Sequence, residues 1–221
     1  MRPSLEDYFR TALAKLGSQH WWPGETPFEV CVGAILTQNT SWTNVEKAIA
    51  NLKARGVLEP EKLYALPPME LASLIRPAGY FNIKTKRLRN FLKFLIEEYD
   101  GQLDRMFSER LEGLREKLLA VKGIGPETAD SILLYAGNKE IFVVDAYTKR
   151  IFLRHEVVSE EDDYHQIQEH FMHHLPAEVA TFNEFHALIV HIGKNWCKTK
   201  VPDCEHCPWQ KYLPRHGVGA R

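Results

Sequence analysis

A chain of 221 residues, 44% hydrophobic and 26% charged, is long enough for one or two packed domains and too apolar for wholesale disorder. Its formal net charge of −1 provides no overall attraction to a polyanion, so any nucleic-acid surface has to come from local basic patches. No apolar run approaches a bilayer span and Met1–Glu6 lacks a signal-peptide core, so a cytoplasmic protein without a membrane partner is expected.

Helical periodicity dominates from the start. Leu5–Leu16 is amphipathic and is broken by Trp21-Trp22-Pro23-Gly24. Phe28–Leu36 is nearly all apolar and reads as a buried helix, with Cys31 in its core. Thr40-Ser41 is a start signal for Trp42–Leu52, where Val45, Ala48, Ile49 and Leu52 make one stripe. Short helices around Glu61–Ala65 and Pro68–Ile75 are separated by Pro67. Gly79 ends that region, and Ile83–Tyr99 is a long amphipathic helix carrying the basic cluster Lys84, Lys86, Arg87, Arg89 and Lys93. A second basic cluster is Lys194, Lys198, Lys200, Lys211 and Arg215; both clusters also fit ordinary solvated faces. Leu111, Leu114, Leu118 and Leu119 are spaced for a helix, and further helices are predicted over Tyr147–His155, Tyr164–His174 and Ala180–Asn195. Only Glu140–Val144 is β-like, and it is too short to found a sheet. The fold class is all-α, with roughly ten helices by their start and stop signals.

The segment Val121–Asp145 carries the most chemistry. Gly123 and Gly125 bracket Ile124 in a turn expected to be too tight for a Cβ, and Pro126 opens the helix that Thr128-Ala129-Asp130 continues. Such a hairpin aims N–H groups outward from a helix start, where a phosphate is the usual occupant; it also serves as a plain turn between packed helices. A dinucleotide fingerprint is excluded, because a helical pattern precedes the turn and Thr128 stands where the third glycine would be. Asp145, after the apolar Ile141–Val144, reads either as a helix cap or as a functional carboxylate. The histidines His165, His170, His173, His174, His186 and His191 lack the carboxylate of a zinc-protease motif and read as surface or helix-packing residues.

The hairpin with Asp145 downstream resembles the helix-hairpin-helix-Gly/Pro-Asp DNA glycosylases, the superfamily of endonuclease III, from about Phe28 to Cys207. That resemblance implies a two-domain fold: a six-helix barrel at 24–138 containing the hairpin 122–126, and a second domain joining 1–23 to 139–221, with a cysteine loop at 197–207. The flipped nucleotide would sit in the cleft between them. It implies that Asp145 is catalytic, that the hairpin residues Lys122, Gly123, Gly125 and Thr128 bind double-stranded DNA carrying a damaged base, and that Gln38 fills the hole left by the flipped base. Members that also cut the strand use a lysine two residues after the second hairpin glycine; here that position is Glu127, which cannot form an imine. Trp21-Trp22-Pro23 and Trp42 resemble the W-W-P and stacking aromatic of the bacterial 3-methyladenine branch, so with Glu127 they are expected to line the base pocket. Cation–π attraction for an alkylated purine there is worth roughly 0.5–2 kcal/mol per contact. Core or inter-domain packing is the plain reading of the same tryptophans.

Cys197, Cys204 and Cys207 match three of the four positions of the family's C-x6-C-x2-C-x5-C loop, so a 4Fe-4S cluster is expected, although Leu213 holds the fourth position. Either His206 or His216 supplies the last ligand or the site is decaying, since the resembling 3-methyladenine branch includes members with no cluster. The expectation is a monomeric, monofunctional glycosylase for alkylated purines. The rivals are an endonuclease III-like glycosylase and lyase for oxidised pyrimidines, and a catalytically silent DNA-binding module.

Overall fold

The computed structural model describes residues 3–19, 21, 24–215 and 217; Trp22, Pro23 and His216 lie outside them. Among the described residues every regular element is helical and there is no strand. No helix among them is long and apolar enough to cross a membrane. The chain divides into two compact units, one of residues 22–139 and the other of 1–21 with 140–221.

The discontinuous unit starts with α1 (Leu5–Leu16), whose capping box pairs Ser4 and Asp7 reciprocally. The central unit then runs through α2 (Pro27–Leu36), α3 (Trp42–Arg55), α4 (Pro60–Ala65), α5 (Pro68–Leu74), a 3₁₀ turn at Arg76–Ala78, α6 (Phe81–Tyr99), α7 (Leu103–Phe107), α8 (Leu111–Ala120) and α9 (Pro126–Ser131). A π-helical turn, Ile132–Ala136, extends α9. Every α2 residue from Phe28 to Leu36 is buried, so α2 is the axis of this unit. Around it pack α3, α6, α9 and the π turn. A helix this apolar has no solvent face and is stable only when enclosed in this way, and its one charge, Glu29, is paired with Lys53 at 2.9 Å.

The other unit continues with α10 (Ala146–Arg154), α11 (Tyr164–His174) and α12 (Val179–Asn195). Its core is aromatic: Tyr8, Phe142, Phe152, Phe171, Phe182, Phe185 and Trp209 are all buried. The Trp209 indole donates to the main-chain oxygen of Tyr8 at 2.8 Å, pinning the C-terminal segment on α1. Ile141–Val144, the β-like stretch, is buried without a partner strand. Side chains satisfy its backbone instead: Gln168 donates to the Phe142 oxygen at 2.6 Å, and the Val144 N–H reaches the Tyr164 hydroxyl at 3.4 Å. This buried lead-in fixes where α10 begins, and therefore where Asp145 stands.

Candidate active site

In the discontinuous unit, Asp145 is the N-cap of α10. Its Oδ1 accepts from Thr148 N at 2.7 Å and from Thr148 Oγ1 at 2.9 Å. Capping thus occupies one oxygen; Oδ2 lies 3.5 Å from His186 Nε2 on α12. Both side chains are mostly buried, 12% exposed for Asp145 and 6% for His186. Burial pushes the Asp145 carboxyl up, but the His186 imidazole and the Thr148 hydrogen bonds outweigh it, so the group sits below the ordinary carboxylate range. A buried carboxylate held ionised at a helix start is equipped to stabilise positive charge or to take a proton from water.

The approach of α10 to α12 depends on Gly193. A Cβ there would come within 2.3 Å of Tyr147 Cδ1. Arg150 closes the contact, stacking on the Tyr147 ring at 4.9 Å and donating to the main-chain oxygens of Gly193 and Cys197. Trp21, partly exposed, receives the Lys194 ammonium over its ring at 5.6 Å. That cation stands against the ring expected to select a cationic base.

In the central unit the hairpin is fixed from two sides. Arg115 and Asp130 form a two-bond ion pair, at 2.7 and 3.0 Å, that joins α8 to α9; the Asp130 carboxylate is fully buried. Gly123 has φ +100°, and a Cβ on it would meet Arg87 Cγ at 2.3 Å. Gly125 is different: it is extended at φ −97°, and a Cβ there would meet nothing within 4 Å. The expectation that both glycines are dictated by the turn therefore holds for Gly123 alone. As N-cap of α9, Gly125 supplies no capping side chain and leaves the start of that helix open to an anion.

Gln38 belongs to the hairpin. Its Nε2 donates to Gly123 O at 3.1 Å and to Thr128 Oγ1 at 2.9 Å, while its Oε1 accepts from Arg87 at 2.5 Å. The next residue, Asn39, is exposed and left-handed at φ +54°. Lys122 has an exposed side chain, and its main-chain oxygen accepts from Asn90 at 2.8 Å. Glu127 is exposed in the first turn of α9. Trp42 is partly exposed at the start of α3 and donates to Glu46 at 3.0 Å, so it is not a core tryptophan.

The structure corrects one further expectation and bears on another. The basic cluster on α6 is largely spent on structure. Lys84 is 1% exposed and donates to the main-chain oxygens of Leu36 and Ala78 at 2.8 and 2.7 Å, because the ends of α2 and of the 3₁₀ turn leave carbonyls that need a donor. Arg89 likewise binds the oxygens of Tyr64 and Leu66, and Arg87 holds Gln38. At the cysteine loop no cluster site is preformed: among the described residues, which leave out His216, no three His, Cys, Asp or Glu side chains form a group able to hold a metal ion. Cys197 Sγ accepts from the buried Arg154 at 3.3 Å, His206 is turned to Asp203 at 2.8 Å, and Leu213 offers no donor. Burial raises the Cys204 thiol and pushes the Cys207 thiol up to about 11. These residues do not make the four-thiolate set of a 4Fe-4S cluster.

Residues not singled out from sequence include His186, Arg115 with Asp130, and Tyr80. Tyr80 is 69% exposed and left-handed at φ +46°, beside the half-exposed Ile83. Ile83, Arg87 and Asn90 succeed one another at helical spacing on α6, and the last two touch the Gln38–hairpin network.

Comparison with known proteins bears on this geometry. The model of the HhH-GPD superfamily of base excision DNA repair proteins matches residues 32–177. A protein of Methanocaldococcus jannaschii, MJ1434, provisionally named a DNA repair glycosylase, is 48% identical over 206 residues, covering 92% of this chain and 93% of its own length. The crystal structure of the H. pylori 3-methyladenine DNA glycosylase MagIII bound to 1,N6-ethenoadenine superposes with a TM-score of 0.76 at 30% identity, covering 87% of this chain and 98% of that one. A non-covalent endonuclease III–DNA complex gives a TM-score of 0.81 at 21% identity over 95% of this chain and 93% of that one, which speaks to the fold alone.

Proposed function

The chain belongs to the HhH-GPD superfamily of base excision DNA repair proteins and is a DNA glycosylase of that family, and from that premise we propose that it is monofunctional and acts on alkylated purines such as 3-methyladenine in double-stranded DNA. The observation that carries the glycosylase chemistry is Asp145, a mostly buried carboxylate held ionised, with one oxygen capping α10 and the other beyond the cap; Glu127 and Trp42 support the narrower choice.

Cleavage of the N-glycosidic bond leaves positive charge on the deoxyribose as the base departs with the bonding electrons. An alkylated purine that is already cationic leaves as a neutral base and needs no added proton. Asp145 stabilises the charge left on the sugar, and orients or deprotonates the water that attacks C1′. Glu127, in place of an amine, cannot attack that carbon to form an imine, so the strand stays intact.

The hairpin Lys122–Gly125 and Thr128 hold the DNA backbone at the open start of α9. Gln38, hydrogen-bonded to the hairpin, fills the hole left by the flipped base, and the exposed Tyr80 is a further ring available to the duplex. Trp42, partly exposed at the start of α3, receives the flipped base. Support for the alkylpurine choice is the partial exposure of Trp42 and the likeness to an enzyme described as a 3-methyladenine glycosylase.

Asp145→Asn tests this reading. Base release from alkylated duplex should fall by at least about 10²-fold, with binding of the same duplex largely retained, because the charge is stabilised only in the transition state. Near-wild-type turnover would leave Asp145 as a helix cap and nothing more.

A further inference from the structure

A buried imidazole stands beside Asp145. His186 Nε2 is 3.5 Å from Asp145 Oδ2, on the side of the carboxylate that Thr148 does not reach. The contact is longer than an ordinary hydrogen bond and tightens only if the carboxylate or the ring shifts by a few tenths of an ångström. The ring has little freedom to leave: His186 lies on the buried face of α12, edge-on to Phe142 at 6.3 Å between centroids. The close passage of α10 over Gly193 sets the spacing of the two helices.

We propose that His186 is the positioning residue of this glycosylase, holding Asp145 Oδ2 from α12 while Thr148 holds Oδ1 from α10, so that the carboxylate is aimed before substrate arrives. This rests on the reading of Asp145 as the catalytic carboxylate. The chemistry needs such a device. A helix cap fixes one oxygen and leaves the carboxylate free to pivot about it, whereas contacts at both oxygens fix its plane. A carboxylate misplaced by about 1 Å forfeits about 10²-fold in rate.

The same pairing sets a pH signature. Thr148 faces Asp145 from α10 and His186 from α12; on α11 the Tyr164 hydroxyl meets the Val144 N–H, one residue before Asp145. The His186 imidazole, together with Thr148, holds the Asp145 carboxyl low against burial. Removing the imidazole lets the carboxyl rise, so the acid limb of activity moves to higher pH.

The test is single-turnover base release from alkylated duplex across acid pH, corrected for release without enzyme, alongside equilibrium binding of the duplex. Wild type, Asp145→Asn, His186→Ala and His186→Gln are compared. His186→Ala should lose about 10²-fold in rate with binding unchanged. His186→Gln keeps a neutral donor and should recover part of the rate on the alkaline side, with its acid limb displaced upward. His186→Gln folded and identical to wild type in rate and pH profile would overturn the proposal. So would equal loss of rate and binding in both variants, which marks a packing role. If Asp145→Asn retains wild-type activity, the catalytic reading itself fails, whichever way the His186 variants behave.

Discussion

Arg87 lies so close over Gly123 that a Cβ on the glycine would come within 2.3 Å of the arginine Cγ. The same side chain holds Gln38, which in turn donates to the Gly123 oxygen. Helix α6, the Leu36–Thr40 segment and the hairpin are therefore one piece of structure, and the two hairpin glycines have separate reasons to be glycine.

Substitution should separate those reasons. Gly123→Ala meets both a left-handed φ and Arg87, and should cost about 1–3 kcal/mol in denaturant unfolding. Gly125→Ala adopts an allowed conformation in open space, so its stability should stay within about 0.5 kcal/mol of wild type. If the hairpin holds the DNA backbone as proposed, the affinity of this variant for duplex DNA should nevertheless fall, since the methyl group would stand in the way of a phosphate at the start of α9. Equal unfolding midpoints for the two variants would contradict this division.

Lys84 predicts a pH dependence of stability. Burial, with the charge of Arg87 nearby, lowers its pKa from the ordinary 10.5 to about 8. Between those values the unfolded chain binds a proton that the folded chain does not, so this group makes stability rise with pH across that window. Subtracting Lys84→Met from wild type isolates the effect from other lysines and tyrosines. The stability difference, measured by urea unfolding at pH values of about 7.5, 9 and 10.5, should move in favour of wild type as pH rises. Parallel curves would mean that Lys84 keeps its ordinary affinity for the proton.

Glu127→Lys should install strand cutting. The position lies in the exposed first turn of α9, two residues after Gly125, so an amine there is accessible. Borohydride should trap a covalent protein–DNA adduct in the variant and none in wild type. An adduct formed by the wild-type protein would make Lys122 the suspect and end the monofunctional reading.

Much of the fold was legible because its signals are local. Pro27, Pro60, Pro68 and Pro126 all stand at helix starts, and apolar spacing marks most of the helix bodies behind them. The π turn Ile132–Ala136 was not legible, since its residues fit an α-helical pattern equally well. Asp145 could be singled out by its place before a helix, but His186 lies 41 residues further on (186 − 145) and resembles the other histidines of a helix-rich chain. Lys84 misled for a related reason: a lysine in a basic helix reads as solvated, and its burial is decided by carbonyls at the ends of two other elements. The cysteine spacing and the leucine at its fourth position were both legible, but the Arg154 guanidinium on Cys197 joins residues 43 apart and no spacing carries it.

The most direct measurement of the central claim incubates the protein with duplex DNA carrying 3-methyladenine and, separately, an oxidised pyrimidine, scoring free base and strand nicks independently. A monofunctional alkylpurine glycosylase releases the methylated purine, leaves strands that break only after alkali treatment, and does not release the oxidised pyrimidine. Release of the oxidised pyrimidine with nicks formed before alkali would contradict that claim.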